Sequence, residues 1–147
     1  MNGFYPEAEA DLGELAADDS EAISLLRLHG LARTADDLAA GLREGEWLTG
    51  ARVDGRLVGL IWARLTLCSD PNGPVVLIQQ VLVKKSARRH GIGRRLVNSV
   101  LDGGRSRGAR LATLRMHPQS QRAQHLAFYG SIGFVAGPED DVLDIAL

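Results

Sequence analysis

The chain has 147 residues, 45% hydrophobic and 24% charged, with a formal net charge of −1. That size and mixture fit one globular domain with one sizeable core, and the near-neutral balance excludes a generic nucleic-acid binder with a broad basic face. A single cysteine, Cys68, leaves no internal disulfide, and no apolar run approaches the roughly 20 residues that span a membrane, so without a signal peptide the default location is cytoplasmic.

Residues 1–26 hold no Lys or Arg but carry Glu7, Glu9, Asp11, Glu14, Asp18, Asp19 and Glu21. A helix is expected after Pro6, with these acids on its solvated face; the sharper alternative is an acidic border that attracts a cationic amine. Ala22 to Leu28 fits helix or strand. Thr34 suits an N-cap, with Asp36 and Asp37 in the first turn and Leu38 and Leu42 on one face, so a helix should run to about Glu44 and end at Gly45.

From Trp47 the pattern changes to strands. Trp47 to Val53, an Asp54-Gly55 turn, and Leu57 to Leu67 predict a hairpin; the turn cluster Ser69 to Pro74 then leads into a strand over Val75 to Val83, making a three-stranded antiparallel meander. Further on, Gly103 to Gly108 suggests a turn, and Arg110 to Met116 a strand broken by Pro118. Ser120 to Ser131 predicts a helix with Gly133 as its C-terminal glycine, after which Phe134-Val135 and Val142 to Ala146 supply strands. Cys68 fits a core thiol better than a nucleophile, and His29, His90, His117 and His125 lack paired ligand spacing, so no metal is predicted.

The stretch Val81 to Leu101 stands apart. A β-branched run ends at Val83, helical spacing begins at Ile92, and between them lie Lys84, Lys85, Arg88, Arg89 and His90, then Gly91 and Gly93. Arg94 and Arg95 come next in the first helical turn, where basic side chains oppose the helix dipole. Glycines that bare backbone N–H groups at a helix N-terminus suit a diphosphate; the plainer alternative is a solvated basic turn. The dinucleotide fingerprint fails, because Leu96 stands where its third glycine belongs. A Walker loop fails as well, because Arg94-Arg95 comes directly after Gly93.

The segment Arg88-Arg89-His90-Gly91-Ile92-Gly93 resembles motif A, Arg/Gln-x-x-Gly-x-Gly/Ala, of the GNAT superfamily of acetyl-CoA-dependent N-acetyltransferases. Phe128-Tyr129-Gly130-Ser131-Ile132-Gly133-Phe134 resembles a second motif of the same family at the usual distance. The resemblance covers roughly Leu48 to Phe134. It implies an α/β fold for residues 1–147 as a single domain, a mixed central sheet of about six to seven strands flanked by helices, with a splayed strand pair forming a coenzyme A wedge.

By the same resemblance, pantetheine lies along the backbone of Val81, Leu82 and Val83, and Leu82 or Val83 N–H supplies the oxyanion donor. The pyrophosphate sits on the amides of Arg89, His90, Gly91, Ile92, Gly93 and Arg94, beside Arg88; Lys84, Lys85 and Arg89 are candidates for the adenosine phosphate. Tyr129 matches the tyrosine that protonates the departing thiolate, against the plainer role of a helix aromatic packed on Phe128. Many relatives carry an acidic pair where this chain has Gln79 and Gln80, and glutamine is no base. That leaves water ordered by Gln79 or Gln80, a carboxylate elsewhere such as Glu46, Asp140 or Asp141, or no catalysis. The pantetheine-binding asparagine is missing too, with Gln121, Arg122 or Gln124 as substitutes.

The implied activity is acetyl transfer from acetyl-CoA to a primary amine of a small molecule or peptide, by direct attack in a ternary complex. The alternative is a non-catalytic acyl-CoA-binding or regulatory domain. No metal, nucleic acid or membrane partner is expected, and a homodimer is admitted. A nucleic-acid module built on Lys84 to Arg95 is disfavoured because no stacking aromatics flank it.

Overall fold

In the computed structural model, which describes residues 10–31, 33–66, 73–88, 91–116, 122–137, 139 and 141–147, the acidic stretch expected to be helical forms instead a short strand, β1 (Asp11–Glu14). It pairs antiparallel with β2 (Glu46–Val53), from Asp11↔Arg52 to Glu14↔Thr49, and Leu15 N–H extends the contact to the Leu48 carbonyl at 2.9 Å. Its exposed Asp11 and Glu14 disfavour pairing of the outer edge with another chain. Residues 1–9, which include Pro6, Glu7 and Glu9, lie outside the described residues.

The ambiguous segment is α1 (Ser20–Leu28). Asp19 caps it, accepting from Ala22 N–H at 3.1 Å, and Ala22, Leu25 and Leu26 are its buried stripe. Helix α2 (Ala35–Arg43) opens on a capping box in which Thr34 and Asp37 each bond the other's backbone N–H at 3.1 Å. Strands β2 and β3 (Arg56–Thr66) form the expected hairpin, with Asp54 at φ 51° and Gly55 at φ 79°, the double positive φ of a tight turn that matches strand twist.

The remaining elements are β4 (Val75–Val83), a 3₁₀ turn (Lys85–Ala87), α3 (Ile92–Ser106), β5 (Leu111–Arg115), α4 (Arg122–Ile132), β6 (Val135–Ala136) and β7 (Val142–Ala146). The seven strands make one mixed sheet in the order β1-β2-β3-β4-β5-β7-β6. No helix among the described residues is long and apolar enough to cross a membrane.

By contacts the chain divides into two compact units, residues 1–63 with 80–100 and residues 64–79 with 101–147. In the first, α1 and α2 close over an apolar cluster that contains Leu26, Leu38, Leu48, Leu60, Trp62 and Leu82. Glu21 locks this arrangement: its carboxylate accepts from Leu57 N–H at 2.9 Å and from Arg52 at 2.9 Å, while Arg52 also pairs with Asp19. The Leu57 N–H, then the Arg52 guanidinium, hold the Glu21 carboxyl below the ordinary range, although burial works against them.

In the second unit β5 runs parallel to β4 from Val75↔Leu111 to Ile78↔Leu114 and antiparallel to β7 from Leu111↔Ala146 to Arg115↔Val142. The turn expected from Gly103 to Gly108 is confined to Arg107 and Gly108, the latter at φ 84°; α3 continues through both Gly103 and Gly104 to Ser106. Packing overrides glycine's poor helix propensity there, because a Cβ on Gly104 would lie 2.5 Å from Val76 Cγ2 and 3.2 Å from Leu147 Cδ1. Helix α4 closes as predicted at Gly133, whose N–H bonds Gly130 O at 3.1 Å while Phe134 N–H reaches back to Tyr129 O at 3.1 Å.

Two glycines on helices should therefore respond oppositely to alanine. Gly130 has nothing within 4 Å of the added methyl, so Gly130→Ala should stabilise by about 0.5–1 kcal/mol. At Gly104 the same propensity gain meets a close-packed β-branched side chain, and overpacking of about 1–3 kcal/mol should leave Gly104→Ala no more stable than the parent. Urea unfolding of both variants checks the pair.

Candidate functional site

The site is built from the end of β4, the 3₁₀ turn and the first turn of α3. The β4 ladder to β5 ends at Ile78↔Leu114, and Gln79 to Val83 continue the strand past the last pair. Gln79, Gln80, Val81 and Val83 are half-buried, whereas Leu82 is 7% exposed in the cluster under α1 and α2. Gln79 is engaged in contacts of its own.

The strand end is pinned to β3, with Lys84 N–H bonding the Val58 carbonyl at 2.8 Å. The chain then makes one 3₁₀ turn, closed by Ala87 N–H on Lys84 O at 2.9 Å, with Ala87 fully buried and Lys85 and Arg88 exposed. The Arg88 guanidinium folds back, Nε donating to the Val83 carbonyl at 3.1 Å. Arg89 and His90 lie outside the described residues.

Gly91 has φ 77°, a conformation that L side chains rarely adopt, and its carbonyl accepts Arg95 N–H at 3.0 Å to begin α3. The first turn, Ile92 to Arg95, contains no acid. Geometry leaves the first N–H groups of any α-helix without intrahelical partners, and here their partial positive charge is met by more positive side chains. The Arg95 guanidinium is directed elsewhere: Nη1 donates to the Ala10 carbonyl at 2.7 Å, tying α3 to the chain just before β1. Ile92 is buried, Gly93 half-buried and Arg94 exposed.

One residue outside both motifs sets the depth of this loop. A Cβ on Gly59 in β3 would lie 3.0 Å from the Leu82 carbonyl, 3.3 Å from Leu96 Cδ1 and 3.4 Å from Ile92 Cγ2. Gly59 is thus where β3, the end of β4 and the first turn of α3 meet. Its only signal in the sequence is a glycine inside an apolar strand, the mark of close backbone approach.

Tyr129 is half-buried on α4 in an aromatic group, with edge contacts to Phe128 at 4.9 Å, Phe134 at 5.5 Å and His125 at 6.4 Å between ring centroids. Loss of hydration pushes its phenol up to about 12, so it keeps its proton at any physiological pH. Gln124 is exposed and Arg122 half-buried on the same helix, while Gln121 lies outside the described residues.

The remote carboxylates are engaged elsewhere. Both oxygens of Asp141 accept from Arg115 at 3.0 Å, and Glu139 joins the same guanidinium at 2.8 Å. The side chain of Glu46 occupies the space a methyl on Gly41 would need, its Oε1 only 1.8 Å from that Cβ position. Asp140 and His117 lie outside the described residues.

Comparison with known proteins bears on the fold and the family. An acetyltransferase from Trypanosoma brucei shares 25% identity and a TM-score of 0.75 over 88% of this chain and 95% of its own. The PaiA N-acetyltransferase of Thermoplasma acidophilum, solved in complex with coenzyme A, shares 16% identity and a TM-score of 0.73 over 94% of this chain and 99% of its own. An aminoglycoside acetyltransferase from an uncultured soil metagenomic sample, solved with sisomicin, shares 17% identity and a TM-score of 0.74 over 90% and 93%. At under 25% identity the last two show the fold alone. No curated protein matches the sequence significantly. The model of the Acetyltransferase (GNAT) family, in contrast, matches residues 12–134, and the chain belongs to that family.

Proposed function

We propose that this chain is an acetyl-CoA-dependent N-acetyltransferase whose acceptor is a primary amine of a small molecule or peptide. The observation that carries the reading is the turn from β4 into α3: a strand end pinned to its neighbour, Gly91 at positive φ, and an acid-free helix N-terminus flanked by Lys84, Lys85, Arg88 and Arg94. A diphosphate placed on those amides relieves the charge conflict of the first turn. The complexes of fold relatives with coenzyme A and with an aminoglycoside support both halves of the proposal.

In this reading the backbone of Val81 to Val83 orients pantetheine, and Leu82 or Val83 N–H stabilises the oxyanion that forms when a neutral amine attacks the thioester carbonyl. As the C–S bond breaks, Tyr129 delivers its proton to sulfur. Gln79 and Gln80 orient water, since an amide side chain cannot take the nitrogen's proton. Those two glutamines are also what favours the second reading, a domain that binds acyl-CoA without turning it over.

Calorimetry separates these ideas at the first step. Gly91→Glu places a bulky anion at a φ suited to glycine and should abolish acetyl-CoA binding; unchanged affinity would sink the phosphate assignment. Tight binding without turnover of any amine in a broad screen would select the non-catalytic reading.

Tyr129→Phe should leave that affinity nearly intact and slow turnover by ~10²–10⁴-fold. Absorbance titration of the parent minus this variant should show a phenol that passes through the ordinary range near ~10 still protonated and ionises only near about 12. The folded protein holds this proton more tightly than the unfolded chain. The resulting stability is therefore complete below the ordinary phenol pKa and is lost as pH rises through the folded value.

With glutamines at the usual acidic positions, kcat/KM should rise with pH toward the acceptor's own pKa. Two acceptors of different basicity should then give two different midpoints. A shared midpoint near ~6–7 would reveal a titrating protein base and overturn the water-mediated account.

A further inference from the structure

Of the seventeen Lys and Arg side chains, fifteen are arginines, and the two lysines, Lys84 and Lys85, are adjacent. The two types differ in chemistry: a guanidinium stays protonated, whereas a lysine amine can lose its proton and attack a carbonyl. Every lysine amine of the chain therefore stands at the end of β4, one or two residues past Val83 and beside the thioester site proposed above. Lys84 is half-buried and Lys85 exposed, and among the described residues neither Nζ is engaged in a hydrogen bond or an ion pair.

The edges of β4 say which backbone group a thioester would meet. Lys84 N–H bonds the Val58 carbonyl at 2.8 Å, and the Leu82 carbonyl lies 3.0 Å from where a Cβ on Gly59 would be, so both residues turn their backbone groups toward β3. Successive residues of a strand present theirs to opposite edges. Val83 therefore faces the β5 side, where pairing stops at Ile78↔Leu114. Arg88 Nε occupies the Val83 carbonyl at 3.1 Å, which leaves Val83 N–H, rather than that of Leu82, as the oxyanion donor on this edge. A thioester held there lies within reach of the four-carbon stems of the next two residues, since consecutive Cα atoms are only ~3.8 Å apart.

We propose that the Lys84–Lys85 pair is an internal acceptor: without another amine at the site, the chain acetylates one of these lysines from its own bound acetyl-CoA, and the modified loop binds the next acetyl-CoA more weakly. The inference rests on the acetyltransferase reading. A neutral Nζ attacks the thioester carbonyl and forms the C–N bond; the C–S bond breaks, sulfur leaves with its electron pair, and the proton shed by nitrogen ends on the thiol of coenzyme A. Holding nucleophile and thioester on neighbouring residues replaces a bimolecular encounter with a local one. The new amide carries no charge, so the basic loop loses one of its cations. The family resemblance offers the same lysines to the adenosine phosphate, at the far end of acetyl-CoA from its thioester; a lysine engaged there would be shielded by the nucleotide, not acetylated.

The test is incubation of the full chain with acetyl-CoA deuterated in its acetyl group, followed by intact-mass and peptide mass spectrometry. One label should appear on the Lys84–Lys85 peptide, at a rate that saturates with acetyl-CoA, rises with pH and does not depend on protein concentration. At equal concentration S-acetyl-N-acetylcysteamine, the same thioester without the nucleotide, should label it at least about tenfold more slowly. Lys84→Arg and Lys85→Arg, made singly, identify the nitrogen; the double variant keeps both charges and should take no label on that peptide. After incubation and removal of the nucleotide, calorimetry should find the affinity of the parent for acetyl-CoA weakened by about three- to tenfold, and that of the double variant unchanged by the same treatment. Equal labelling by the two thioesters would mean plain surface reactivity and overturn the proposal, as would a rate that climbs with protein concentration. Lysines that stay unlabelled while acetyl-CoA binds and acetylates another amine would overturn it too, and leave the acetyltransferase reading standing. Absence of any acetyl-CoA binding would instead sink that reading, and the internal acceptor with it.

Discussion

The bond from Lys84 N–H to the Val58 carbonyl decides where the basic loop can be, because it ties the chain to β3 at the point where it leaves the sheet. One residue further along β3, Gly59 leaves room for the Leu82 carbonyl and the Leu96 and Ile92 side chains, which would stand 3.0, 3.3 and 3.4 Å from a Cβ there and be crowded by it. The two ends of the basic loop are therefore fixed to adjacent residues of one strand, Lys84 at Val58 and Ile92 at Gly59. Lys84 is held by backbone pairing, and Ile92 is held by packing. Between them Arg88 bonds back to Val83, and Gly91 supplies the turn into the helix.

This anchoring explains how the loop can keep so much like charge in place. Arg94 and Arg95 stand in the first turn of α3, where the dipole disfavours them. Yet the Arg95 guanidinium is engaged by the Ala10 carbonyl and that of Arg88 by Val83. The first bond carries the Arg95 charge away from the loop toward the chain before β1, and the second keeps the Arg88 charge against the end of β4. In the proposed reading, an anion at the loop would meet an Arg88 already positioned, so less side-chain freedom would be lost on binding.

Much of this was legible in the sequence because local chemistry and tertiary environment agree. The α2 capping box, the Asp54-Gly55 hairpin, the bounds of β4 and the closing glycine of α4 are each set by residues adjacent to the feature they make. Where the two disagree, the pattern misled. β1 is four residues long, begins and ends on an acid, and is a strand only because β2 pairs with it. Gly103 and Gly104 look like a break, yet α3 needs a small residue where Val76 comes close. At the site, the change of period located the end of β4 at Val83 and the start of α3 at Ile92. Gly59 against Leu82, Arg95 on Ala10, and Arg33 over Trp62 join residues far apart in the chain, and no local signal names their partners.

The proton inventory of the proposed reaction bears on the two glutamines. Burial raises the Tyr129 phenol to about 12, well above an ordinary thiol near ~8.5. At equilibrium such a phenol does not surrender its proton to a thiolate; it can do so only if another proton replaces it. The reaction supplies one, because the attacking nitrogen must shed a proton for every sulfur that gains one. A phenol that gives to sulfur and is restored through water from nitrogen ends each cycle unchanged, and no resident carboxylate has to store the proton between the two events. On that account Gln79 and Gln80 are compatible with turnover provided the amine arrives neutral. The neutral fraction of the acceptor then takes over the role that a protein base has elsewhere, and the demand for catalytic tuning shifts from β4 to whatever holds the rest of the acceptor in place.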